Sequence, residues 1–430
     1  MILEKNQAKK GIITDAVKIA ARQEQVSPEK LAASVAAGKS IILKHRDRSV
    51  VAIGESLRVK VNTNIGTSPD VCDIDFELEK LKTACRLKSD AVMDLSTGGN
   101  LDEIRKKIVQ NSPVPVGSVP VYQAMTEAIE RYGTIEKMKE DDLFEVIERH
   151  ARDGISFVTV HCGVTLACME LLKKKKRKTG IVSRGGAFIA SWMIMTAREN
   201  PLYSNFERLL DLARKYDLVL SLGDGLRPGC IADASDNLQM SELMTLGQLT
   251  QRAWEADVQV IIEGPGHIPL HQVIPNVQLA KTVCYGAPLY LLGPIVTDIA
   301  AGYDHIASAI GGALAAWAGA DFLCYVTPSE HLGLPTIQDV EDGVVASKIA
   351  AHSADIARGN SEAKIQDDRL SEFRYNRNWK QQEKLVINPE RFRKIRESQK
   401  VYSEEVCNMC GKYCAMKIID ETIKKAGLQV

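Results

Sequence analysis

Eight short apolar runs recur through the middle of this 430-residue chain. Each is followed by Gly, Pro or polar residues and then by a stretch with helical spacing, and no other feature restricts the fold so strongly. The runs are DAVMDLSTGG (90–99), VPVGSVP (114–120), SFVTVHCGV (156–164), GIVSRGG (180–186), LVLSLGDGLRPG (218–229), VQVIIEGPGH (258–267), LYLLGP (289–294) and DFLCYVTPSEH (321–331). A strand that is apolar on both faces and alternates with helices belongs in a parallel sheet covered on both sides. Eight such units predict an α/β fold, a closed (β/α)8 barrel of TIM type. An open doubly wound sheet is the alternative, because the second and seventh runs are short. Between the runs, residues 236–256 carry apolar side chains at three-and-four spacing, and AGYDHIASAIGGALAAWAGA reads as a buried helix of small residues.

Three regions follow. Residues 1–80 form a small N-terminal α/β element, 81–357 the barrel, and 358–430 a helical extension where composition turns polar and charged. Lys and Arg together number 55, as do Asp and Glu, so net charge gives no reason to expect nucleic acid or an anionic membrane as partner. No apolar run reaches the roughly 18 residues that span a bilayer, and MILEKNQAKKG lacks a signal-peptide core, so a cytoplasmic location is expected. The cationic run Lys173 to Lys178 suits a solvated helix end. Cysteines 72, 85, 162, 168, 230, 284 and 324 are scattered, as reduced thiols would be.

In a barrel of this kind the chemistry gathers at the C-terminal ends of the strands. There the runs end in His161, in Ser183-Arg184-Gly185, in Asp224-Gly225-Leu226-Arg227, in Glu263 and His267, and in His331. Arg184 and Arg227, with the N–H groups of Gly185 and Gly186 opening a helix, suit a phosphate. His267 and His331 end strands two positions apart, so their imidazoles are candidates for one metal, with Glu263 and Glu330 nearby as oxygen ligands or proton acceptors. Singly, each of these residues also fits a structural role at a strand end.

The segment VCNMCGKYCAMK (406–417) places Cys407, Cys410 and Cys414 within eight residues. Three thiolates at C-x2-C-x3-C spacing fit either zinc, with a distant fourth ligand, or an iron–sulfur cluster with one iron left open.

Taken in order, VNTNIGTS, VMDLSTGG, VPVYQA, VHCGV, IVSRGG, LGDGLRPG, EGPGH, CYVTPSEHLGLP, KIAAHSADIA and CNMCGKYCAMK resemble the phosphomethylpyrimidine synthase (ThiC) family of radical S-adenosylmethionine (SAM) enzymes, over about residues 55–417. The resemblance implies that the barrel binds 5-aminoimidazole ribonucleotide through Asn64, Met93, Tyr122, His161, Ser183, Arg184, Gly185, Asp224, Gly225, Leu226, Arg227, Glu263 and Tyr290. It assigns zinc or another divalent metal to His267 and His331, and a 4Fe–4S cluster to Cys407, Cys410 and Cys414, which with Glu263 carry the catalytic roles. It further implies S-adenosylmethionine as cofactor, a flavodoxin or ferredoxin as electron donor, and a homodimer in which the tail of one protomer serves the barrel of the other.

The implied reaction is that of a carbon–carbon lyase. One electron cleaves S-adenosylmethionine, and the resulting 5′-deoxyadenosyl radical starts a rearrangement of the ribonucleotide to 4-amino-5-hydroxymethyl-2-methylpyrimidine phosphate, for thiamine biosynthesis. A paralogous branch of similar sequence, 5-hydroxybenzimidazole synthase of anaerobic cobalamin lower-ligand synthesis, acts on the same ribonucleotide and is the alternative. IILKHRDR, IAAGYDH and FRYNRNWKQQ depart from the usual family pattern, and none of these departures touches a site residue.

Overall fold

The computed structural model describes residues 3–46, 49–174, 176–400 and 403–427. The chain divides into two units, Met1–Asp355 and Ile356–Val430.

The first unit opens with three short helices, Glu4–Lys9, Asp15–Glu24 and Pro28–Ala36, and an antiparallel hairpin of β1 (Ser40–His45) and β2 (Ser49–Gly54). The helices start where the sequence supplies caps. The Thr14 hydroxyl accepts the Val17 N–H, and Ser27 accepts the Lys30 N–H just before Pro28. Alternation along β1 divides its side chains between two cores: Ile42 packs with Val17, Leu31 and Val35 of the helices, while Ile41 and Leu43 join the barrel core.

Eight parallel strands close the barrel: β3 (Lys60–Ile65), β4 (Ala91–Asp94), β5 (Val116–Ser118), β6 (Phe157–Val160), β7 (Val219–Leu222), β8 (Val260–Gly264), β9 (Leu289–Leu292) and β10 (Phe322–Cys324), with β10 pairing β3. The closed barrel is the expected fold, but its membership differs from the sequence reading at two strands. The run 180–186 is not a strand. Val182 is 42% exposed, and Ser183 caps the helix Arg184–Thr196 by accepting the Gly186 N–H at 3.1 Å. Only two apolar residues precede that cap, too few for a buried strand. The eighth strand is instead β3, inside the segment assigned to the N-terminal element. Its Lys60, Asn62 and Thr63 obscure the apolar signal, yet all three are buried. Lys60 lies within 3.1 Å of Glu24 from an N-terminal helix, while Asn62 faces the barrel interior, donating to the Tyr290 hydroxyl at 2.8 Å.

The interior is filled by Phe157, Phe322 and Tyr290, with the Tyr290 and Phe322 rings stacked at 4.5 Å. The helix Asn237–Glu255 occupies the expected stretch. The small-residue helix, Asp304–Ala318, is buried on one face only. Ala307, Gly311 and Ala315 face inward, whereas Tyr303, Ile306, Ile310 and Trp317 form an exposed stripe. The small residues serve close approach, since a Cβ on Gly311 would lie 2.0 Å from the Pro294 carbonyl. The helix Leu166–Lys174 ends in the cationic run, of which residue 175 lies outside the described residues. Among the described residues no helix is long and apolar enough to cross a membrane.

The second unit is helical: Ser361–Tyr375, Trp379–Leu385, Pro389–Glu397 and Ala415–Ala426. Asn360, Asn378 and Asn388 cap the first three. Polar contacts hold it together: Arg377 pairs with Asp420 at 3.1 Å, Lys417 with Glu405 at 2.6 Å, and the Arg396 guanidinium lies over the Trp379 ring.

Candidate active site

Because all eight barrel strands run the same way, their C-terminal ends form one rim, and the polar side chains at those ends surround two adjoining cavities of about 590 and 80 Å³. Asn64, Leu95, Tyr122, Arg227 and Leu292 are walls of both. The inner cavity is floored by Met93, His161, Asp224, Glu263, Tyr290 and Cys324; the outer one opens past Arg184, His267 and His331.

Charge in the inner cavity is set by burial. Glu263 accepts hydrogen bonds from Thr159 at 2.7 Å and Ser221 at 2.8 Å, and desolvation still raises its carboxyl above the ordinary range. Asp224 accepts from Arg227 at 3.0 Å, yet burial outweighs that pairing and pushes its pKa up to about 8. His161 is held neutral, its pKa depressed to about 3 by burial and then by Arg227. Two buried atoms here, His161 Nδ1 and Asp224 Oδ2, have no hydrogen-bond partner in the protein. On the opposite wall Asn62 donates to Tyr290 and to Asn64 at 2.8 Å, and Asn64 donates to the Cys324 thiol at 3.0 Å.

Glycines let three segments converge at this rim. A Cβ on Gly185 would lie 2.2 Å from the His161 ring, one on Gly186 2.1 Å from the Gly225 carbonyl, and one on Gly225 2.4 Å from Val164. The start of the helix Arg184–Thr196 is thereby pressed against the turns after β6 and β7. The Arg184 guanidinium sits 5.0 Å from the Tyr122 ring centroid. Arg184, Arg227 and the helix N-terminus thus place positive charge and N–H donors on one side of the outer cavity.

His267 and His331 meet on the other side, their Nε2 atoms 3.2 Å apart. His267 Nδ1 lies 2.8 Å from Asp298 and His331 Nδ1 3.2 Å from Asp304. A carboxylate accepts, so each Nδ1 carries the proton and each Nε2 presents a lone pair. Two lone pairs aimed at one another are stable only with a cation or a proton between them, so the pair fits a divalent metal with its remaining coordination positions open.

In the second unit Cys407 is half-buried, Cys410 exposed, and Cys414 buried at the start of the helix Ala415–Ala426. All three are free thiols in one short loop, a donor set suited to iron or zinc. Among the described residues no three His, Cys, Asp or Glu side chains are already gathered as a metal-binding group.

Of the residues singled out from sequence, Asn64, Met93, Tyr122, His161, Arg184, Asp224, Arg227, Glu263, Tyr290, His267 and His331 line the two cavities. Ser183, Gly185, Gly225 and Leu226 stand behind them as cap, close approach and turn backbone. Sequence reasoning passed over Asn62, Cys324, Asp298 and Asp304. The last two flank the expected metal histidines in space but not in sequence, and Asp304 reads there as a helix-start residue.

Fold and site together define an α/β-barrel enzyme with a cation-walled, carboxyl-lined cavity and a separate cysteine-bearing helical unit. Residues 4–421 match the Radical SAM ThiC family, and the chain belongs to that family. It is 54% identical over 414 residues to the phosphomethylpyrimidine synthase of Caldanaerobacter subterraneus subsp. tengcongensis, covering 96% of each chain. It is 52% identical to the enzymes of that name from Desulforamulus reducens (97% of this chain, 98% of the relative) and Methanocaldococcus jannaschii (97% and 99%). Membership of a radical SAM family implies a 4Fe–4S cluster and S-adenosylmethionine.

Proposed function

We propose that the chain converts 5-aminoimidazole ribonucleotide to 4-amino-5-hydroxymethyl-2-methylpyrimidine phosphate for thiamine synthesis, as a radical SAM carbon–carbon lyase. The observation that carries this reading is the pairing of a cationic wall with a carboxyl-lined floor, in a chain 54% identical to a relative named phosphomethylpyrimidine synthase. Arg184 and Arg227, with the Gly185 N–H at the start of the helix that Ser183 caps, hold the phosphate. Asp224, whose second oxygen lacks a protein partner, and Glu263 meet the ribose and amine. Neutral His161 offers its unpartnered nitrogen to the ring, and the Gly225 and Leu226 backbone shapes the turn. Tyr122, Met93, Tyr290 and Asn64 confine the heterocycle and exclude water, so that the reacting carbons are held in one orientation.

Cys407, Cys410 and Cys414 would hold the cluster, with S-adenosylmethionine on its open iron and a flavodoxin or ferredoxin as reductant. When bound, these groups supply the radical chemistry, and the barrel supplies position and proton control. Glu263, raised in pKa and fixed by Thr159 and Ser221, is placed to exchange a proton with the substrate. His267 and His331 would hold zinc or another divalent ion at the outer cavity. The working form is proposed to be a homodimer, the cysteines of one protomer serving the substrate of its partner. The test is anaerobic incubation of reconstituted protein with the ribonucleotide, S-adenosylmethionine and a reductant, followed by mass analysis of the heterocycle. A phosphorylated pyrimidine is expected; an unphosphorylated hydroxybenzimidazole would transfer the chain to the other branch.

A further inference from the structure

Glu242 lies on the helix Asn237–Glu255, outside the barrel wall, and is 2% exposed. Its Oε2 accepts the Leu226 N–H at 2.8 Å, and its carboxyl also receives a backbone hydrogen bond from Gly225. Its Oε1 has no partner, and together with Asp224 it borders a cavity of only about 20 Å³. The side chain has little freedom, because a Cβ on Gly163 would lie 2.8 Å from Glu242 Cγ. On the far side of the same turn, Gly186 abuts the Gly225 carbonyl. The turn Asp224-Gly225-Leu226-Arg227 is therefore gripped between a helix N-terminus and one buried carboxyl.

We propose that Glu242 is a positioning residue, fixing this turn so that the Asp224 carboxyl and the Arg227 guanidinium face the substrate cavity. The inference rests on the reading of Asp224 and Arg227 as ligand-binding groups. No cation pairs with Glu242 among the described residues, and burial, then Asp224, raises its carboxyl well above the ordinary range. Its carboxyl accepts N–H bonds from the backbone of Leu226 and Gly225. Glutamine reproduces that chemistry and leucine does not.

Two measurements on the full-length protein separate the inference from the reading beneath it. The first is amide hydrogen exchange across residues 224–227 without ligand. Glu242→Leu is expected to speed exchange about tenfold, corresponding to ~1.4 kcal/mol, while Glu242→Gln stays within about threefold. The second is affinity for 5-aminoimidazole ribonucleotide by calorimetry, in a cycle with Arg227→Gln. Glu242→Leu is expected to weaken binding about tenfold in the wild-type background and by clearly less once Arg227 is replaced, the remainder acting through Asp224. The inference is overturned by unchanged exchange, by equal losses in both backgrounds, which mark general loosening, or by a Gln variant as impaired as the Leu one. If the wild type fails to bind the ribonucleotide while Glu242→Leu still frees the turn, the substrate reading falls and the grip on the turn stands. Glu242→Met is read in the same way should Glu242→Leu not fold.

Discussion

Arg227 is the residue on which most of the site converges. It pairs with Asp224, helps keep His161 neutral and walls both cavities. Replacing it with alanine removes a charge-assisted contact worth about 1.5–3 kcal/mol, so affinity for the ribonucleotide should fall roughly 10- to 150-fold by calorimetry. Asp224 makes a separate prediction about pH. Its carboxyl titrates near 8 in the folded protein, against about 3.9 in an unfolded chain. Between those values the folded form holds a proton that the unfolded form has released, so this group's contribution to stability falls as pH rises from about 4 to 8. Arg227, Glu242 and Glu263 act on the same carboxyl, and the two glutamates, both raised, shift stability in the same sense. Buried His161 acts in the opposite sense below about pH 6.5, so the Asp224 contribution is read as a difference: the melting temperature of ligand-free wild type minus that of Asp224→Asn should fall as pH rises through that window. A difference that stays flat or rises from pH 5 to 8 would contradict this assignment. Much of this site was legible as residues, because strand-end His, Arg and Asp stand out against apolar runs. Its electrostatics were not, since a pKa near 8 comes from burial that only the closed fold creates.

Among the elements, the helix Arg184–Thr196 does more for the site than any strand. Its first turn carries Arg184, and its glycines let it approach the turns after β6 and β7. Gly186→Ala sets a methyl group against a backbone carbonyl that cannot swing away, an overpacking cost of about 1–3 kcal/mol. The expected result is a folded protein with a melting temperature several degrees lower and ribonucleotide affinity reduced at least about tenfold; unchanged affinity would show that the approach is not needed. The sequence reading took this segment for a strand because Ile181 and Val182 precede Gly-rich residues, a pattern that also starts a capped helix. The opposite error hid β3: alternation of Lys60, Asn62 and Asn64 with Val61, Thr63 and Ile65 looks like a half-solvated strand when the polar face lines a barrel interior. Periodicity reports which side chains differ from their neighbours, not which side meets water.

At the scale of the whole molecule, the cavity-lining residues all belong to the first unit and the clustered Cys407, Cys410 and Cys414 to the second. Cys410→Ala should therefore abolish iron loading, read as iron per protein and loss of visible absorbance, while ribonucleotide affinity stays within about threefold. His331→Ala should lower divalent-metal content and leave the iron intact. The polar, charged composition after residue 357 is legible in the sequence, whereas the closure of the sheet is not, because nothing in a local window tells β3 that its neighbour is β10. That seam joins Asn62 to Tyr290 and Asn64 to Cys324 across 228 and 260 residues of sequence. A ribosome therefore releases one wall of the chamber long before the other exists. The growing chain carries the Asn62 and Asn64 side chains without these partners until β9 and β10 emerge, so the ability to hold a ligand arrives all at once and late in synthesis.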